Sequence, residues 1–235
     1  MSEIEYLDIT YQFTFEDEKQ KSFFIRLNKR TLDLIDEPRA AYPEWTKLEF
    51  HQCPNCPLNK EQNPHCPIAL SLIDMMHAFK DSVSHEPVTV DIITQAREYR
   101  ATTVLQRGLS SLLGLYMVTS GCPVMEKLKP MARLHLPFAT MEETAYRVIS
   151  MYLLAQYFNY RRGKTPDWDM KNLVKAYDDI RVLNNSFSQR LKANTTKDAG
   201  VNAVVILNNF ADYVPFSVDQ DMLDEIELLF SGYND

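Results

Sequence analysis

Four cysteines carry the most specific chemistry in the sequence, and proline follows each of them: Cys53-Pro54, Cys56-Pro57, Cys66-Pro67 and Cys122-Pro123. Proline makes up about 5% of average composition, so four such pairs by chance is on the order of one in 10⁵. Proline suits the first position of a helix, where its missing N–H would be unpaired anyway. Cys66 and Cys122 each precede a predicted helix, over 67–83 and 123–134. Both thiols are therefore expected at helix starts, where free N–H groups and the helix dipole favour a thiolate and lower its pKa. Cys53 and Cys56 have the Cys-x-x-Cys spacing that sets two sulfurs on one metal. Cys66 lies within easy reach of them, and Cys122 would tie the second half of the chain to the first.

Four thiolates bind zinc tetrahedrally or hold an iron–sulfur cluster. Zinc is the first reading and an iron–sulfur cluster the second. Pro57 stands where zinc ribbons usually place a glycine, which keeps the two close. His51 and His65 flank the cysteines and are the substitutes if one sulfur is absent from the set. A metal-free reading also stands, because a free cysteine is often simply a small buried apolar residue. Within it, Cys53-Pro54-Asn55-Cys56 has the spacing of a thiol–disulfide oxidoreductase. That active site needs a helix directly after the pair, and Pro57, Asn59, Asn63 and Pro64 oppose one.

Other candidates weigh less. His135 follows the Cys122 helix in an apolar setting and could be a base or a ligand, but such histidines are more often hydrogen-bonded core residues. Glu142 and Glu143 read as helix-start carboxylates. Together with His77 and His135 they lack the paired Glu-x-x-His motifs of di-iron bundles. The basic, aromatic stretch over 157–164 could stack on bases. It reads better as the cationic end of a helix.

The elements that must position the cysteines are a small sheet and a helical second half. Residues 6–15 alternate with period two, 16–20 form a charged turn, and 22–27 return, which predicts a β-hairpin. Residues 31–35, 46–50 and 87–90 read as further short strands. From 92 the periodicity turns helical: 92–119, 123–134, 146–160, 168–191, 198–213 and 217–230. Thr140-Met141-Glu142-Glu143 and Ser217-Val218-Asp219-Gln220 are capping-box patterns. The fold expected is α+β. A β-rich segment with the cysteine loop and one helix spans 1–90, and a helical part spans 91–235, the two forming one compact unit.

Composition bounds the class. The chain has 235 residues, 45% hydrophobic and 24% charged, with a formal net charge of -7. That acidity argues against a broad nucleic-acid or anionic-membrane surface. The N-terminal stretch is acidic and alternating rather than basic and then apolar, so no targeting segment is expected. A cytoplasmic location follows as an expectation, and there cysteines serve metals more often than disulfides. The role expected is a binding or regulatory module acting through a protein partner.

Ser120-Gly121-Cys122-Pro123, Pro130-Met131-Ala132-Arg133, the segment from His135 to Thr140, and Glu143-Thr144 resemble a family of uncharacterised bacterial proteins, a domain of unknown function. The similarity takes in the other Cys-Pro pairs and nearly the whole chain. It implies a shared fold and transfers no activity.

Overall fold

The computed structural model describes residues 5–218 and 220–233. Strands β1 (Tyr6–Phe15) and β2 (Gln20–Asn28) pair antiparallel, with Ile9 opposite Ile25 and Tyr11 opposite Phe23. This is the predicted hairpin. Strand β3 (Pro87–Thr94) lies on the other side of β1, and β4 (Glu98–Val104) forms the edge, giving the order β2-β1-β3-β4. Alternation decides the faces. Ile9, Tyr11, Phe13, Ile25, Leu27, Val90 and Ile92 are buried on one side. The opposite face is polar and solvated, as an antiparallel sheet allows. There Arg26 pairs with Asp8, and Arg100 with Asp91.

Helices cover the apolar face. Helices α1 (Pro67–Ser71) and α2 (Ile73–Phe79) follow the cysteine loop, and α3 (Leu105–Thr119) packs directly on the sheet. Gly108 permits that approach: a Cβ there would stand 2.8 Å from Val90 Cγ2 and 2.9 Å from Phe13 Cε1. A 3-10 segment (Met125–Leu134) leads to α4 (Met141–Arg161). Helices α5 (Lys171–Lys192) and α6 (Ala199–Ser217) pack on each other, α6 also packs on α3, and α7 (Gln220–Glu227) with a last 3-10 segment (Leu228–Tyr233) follows. One hydrophobic core holds residues from both halves.

The fold is the expected α+β architecture, with corrections. Residues 92–104 are not the start of a helix; they are the end of β3 and all of β4. Ile92, Ile93, Thr102, Thr103 and Val104 are β-branched, which stiffens them toward strand. Thr94 Oγ1 donates to Arg97 O at 2.8 Å and closes the turn between the two strands. Residues 31–35 contribute one bridge, Leu27 to Leu34, instead of a strand. Residues 46–50 likewise bridge only at Lys47–His65, because the Arg190 side chain takes the carbonyls of Lys47 and Leu48. The helix expected over 67–83 breaks at Leu72 and ends at Phe79.

The capping box at Thr140 and Glu143 forms as expected, with both reciprocal bonds in place. Ser217 does not cap. It lies inside α6, and its hydroxyl donates to Tyr213 O. Asp219, in the same pattern, lies outside the described residues. The basic stretch after Tyr157 is the end of α4, closed by Gly163 at φ +71°.

Candidate metal centre

Each cysteine is held by a different piece of backbone. Cys53 and Cys56 sit on a loop without regular secondary structure, tightened by the bond from Cys56 N–H to Cys53 O at 3.0 Å. Asn55, between them, anchors the loop to α5 by donating from Nδ2 to Asp179 O at 2.9 Å. Cys53 Sγ approaches the Leu183 carbonyl, also on α5, at 4.0 Å. Cys66 is the N-cap of α1 with Pro67 at the first helical position. Its own N–H donates to Thr46 O at 2.8 Å. Cys122 follows Gly121, at φ +85°, and its carbonyl accepts from Glu126 N–H at 3.0 Å, which opens the 3-10 segment.

The fold brings these four pieces within electrostatic range of one another. The Cys53 thiol feels the charge of Cys66, Cys122 and Cys56, and the Cys122 thiol that of Cys66 and Cys56. All four are free thiols; Cys66 and Cys122 are buried, and Cys53 and Cys56 partly so. The N–H groups of Ile68 and Ala69 face the Cys66 sulfur, and those of Val124 and Met125 face the Cys122 sulfur, which favours negative charge at both. At Cys66 these groups form no closed capping hydrogen bond. Among the described residues, no group of three or more His, Cys, Asp or Glu side chains is drawn together as a finished metal site.

The expectation of low thiol pKa values is corrected. Burial pushes the Cys53 thiol up to about 12 and the Cys122 thiol up to about 11, and it raises Cys66 as well. Helix-start N–H groups act in the expected direction, but removing water from the sulfur outweighs them.

The substitute histidines are otherwise engaged. His65 Nδ1 hydrogen-bonds Thr46 Oγ1 at 2.8 Å, and its ring packs on Tyr42. His51 is exposed, at φ +51°, with its ring edge-on to Phe50. His135 is a core partner: its Nε2 lies 2.5 Å from Tyr11 Oη, which also bonds Ser111 Oγ at 2.8 Å. Burial lowers the His135 pKa to about 4, so the ring is neutral. Glu143 serves the cap.

Sequence reasoning missed Arg190. It is 2% exposed, and Nη1 donates to Trp45 O and to Lys47 O, both at 2.7 Å, while Nη2 donates to Leu48 O at 3.1 Å. Its charge acts on Cys66, Cys53 and Cys56. No carboxylate partners it among the described residues. The one clue was its spacing: Arg190 continues the apolar stripe of Ile180, Leu183 and Phe187, where an exposed arginine has no place. A buried cation facing thiols and no acid suits a site that gains negative charge when its thiols ionise.

The chain belongs to the family described as a domain of unknown function (DUF6901), which matches residues 9–231. No curated protein and no solved structure matches it.

Proposed function

We propose that this member of the DUF6901 family is a metal-centred protein in which Cys53, Cys56, Cys66 and Cys122 close on one zinc ion. The observation that carries this reading is that four free thiols from three segments of the chain lie within electrostatic range of one another. Two of these sulfurs are buried and two partly so, and the charge of buried Arg190 favours the anions of Cys53 and Cys66. Zinc would use those anions: it deprotonates its thiolates outright and offsets their burial.

Four thiolates around a divalent ion leave a net charge of about -2. Arg190 would offset half of it, and the N–H groups at Cys66 and Cys122 would hydrogen-bond the sulfurs, as partners outside the ligand set commonly do. Closing to Zn–S distances of about 2.3 Å needs the sulfurs to draw together.

Such a site is structural. It would pin the cysteine loop to the start of α1 and to the turn before the 3-10 segment, and so fix a surface through which a binding or regulatory module meets a protein partner. The same four ligands could hold an iron–sulfur cluster, which would make the protein a redox carrier or sensor. The thiol–disulfide oxidoreductase reading fares worse. An attacking cysteine needs a low pKa, and burial drives Cys53 the other way.

Anaerobic purification with elemental analysis and an absorption spectrum tests the proposal. About one zinc per chain in a colourless protein supports it. A brown protein absorbing near ~400 nm replaces zinc with a cluster. Metal-free protein that takes up neither zinc nor iron ends both.

A further inference from the structure

One cavity of the molecule is lined by none of the four cysteines. It has a volume of about 470 Å³ and lies among α3, the 3-10 segment, α4, α5 and α6. That is the size of a small-molecule site. Its walls are mostly apolar, with Leu115, Val118, Leu128, Met131, Leu207 and Phe210 among them. In a chain with 32 acidic and 25 basic residues, its lining holds Arg107 and Arg147 and no aspartate or glutamate.

The polar groups are few. Asn184 is 2% exposed, lines the cavity, and its Oδ1 has no hydrogen-bond partner. An ionised carboxylate cannot donate to this oxygen, so Asn184 takes no part in holding such a head group. Arg147 is half-buried; its Nη2 donates to Leu134 O at 2.6 Å and to Met131 O at 3.3 Å. Those bonds fix the guanidinium at the cavity wall, and Nη1 keeps no described partner. Arg107 is exposed and reaches only Phe138 O, at 3.5 Å. Glu143, the carboxylate nearest in effect to Arg147, is bound in the capping box of α4. The cations are thus left available to an anion from outside.

We propose that this cavity binds a small amphipathic monocarboxylate. Its apolar body lies against the leucine and methionine walls, and its carboxylate meets Arg107 and Arg147 at the mouth. Arginine pairs with carboxylates in the plane of its fork, which gives the head group a fixed orientation. The apolar body supplies most of the affinity, and the arginines choose the acid over a neutral chain of equal length.

Calorimetry of the full chain with decanoate and with decanol reads both parts. Decanoate is expected to bind saturably at one site, and decanol about tenfold more weakly, the difference made by charge-assisted hydrogen bonds. Arg107→Gln should narrow that gap and leave decanol unchanged. Gly114→Leu should block both, because even a Cβ at Gly114 already stands 3.4 Å from Leu207 Cδ2 and a longer side chain must enter the cavity. Should that variant misfold, Leu207→Trp fills the same space from α6. The proposal is overturned if neither probe gives a saturable heat, if decanol binds as tightly as decanoate, or if a folded cavity-filling variant binds decanoate like the parent. Metal content plays no part in these readouts, so they stand or fall apart from the zinc proposal.

Discussion

Arg190 Nη1 donates to the carbonyl of Trp45 at 2.7 Å, across 145 positions of sequence. That bond, with its companions to Lys47 and Leu48, turns a would-be strand into the backbone brace of the cysteine loop. Cys66 takes the Thr46 carbonyl that Arg190 leaves. One guanidinium thereby places the segment that positions Cys66 and puts a positive charge beside three of the four thiols.

Arg190→Lys should therefore be costly although it keeps the charge. A lysine cannot reproduce the planar fork, and buried carbonyls left unpaired cost on the order of 1–3 kcal/mol each. A loss of about 3 kcal/mol in urea unfolding is expected, together with reduced zinc per chain. Unfolding indistinguishable from the parent would show that the three carbonyls find other donors.

Cys122→Ser should lower zinc content and stability together, since in the proposed site Cys122 would join the 3-10 segment to the loop. A drop in Tm of about 5 °C or more is expected in zinc-loaded protein, shrinking after chelation. Full zinc stoichiometry in the variant would remove Cys122 from the ligand set.

His135 should make the protein acid-sensitive. Its folded-state pKa is lowered from 6.5 to about 4 by burial. The neutral ring costs nothing above pH ~6.5; below that, the unfolded chain takes up a proton that the folded one refuses. Stability falls progressively as the pH drops from ~6.5 toward ~4, by up to about 3 kcal/mol from this group. His135→Gln should flatten that part of the profile. A variant with the parent's slope in chemical denaturation between those pH values would assign the acid sensitivity elsewhere.

Gly108→Ala tests how closely α3 lies on the sheet. Alanine gains about 1 kcal/mol in helix propensity. Its Cβ would meet Val90 and Phe13 below 3.0 Å, and overpacking of this kind costs about 1–3 kcal/mol. The clash should win, with a net loss of about 1 kcal/mol by denaturant titration. A stabilised variant would show that the sheet yields to the added methyl.

Local pattern was enough for the hairpin, the Thr140 cap, the proline-led helix start at Cys66 and the α+β class. Each is set by residues within a few positions of one another, where period, cap chemistry and proline geometry act alone. The same local reading mistook 92–104 for helix, because apolar spacing there fits both periods. Only pairing with β1, which puts Val90 and Ile92 into the core, separates them. It also placed a strand at 46–50, where a residue from α5 claims the carbonyls.

The site divides the same way. Cysteine identity and spacing named four candidate ligands from the sequence alone. That Cys122 comes within electrostatic range of the other three, that burial raises the pKa of Cys53, Cys66 and Cys122, and that the charge of Arg190 reaches Cys66, Cys53 and Cys56 were decided by tertiary packing. Desolvation and long-range hydrogen bonds depend on which distant segments meet, and neither leaves a mark on the local order of residues.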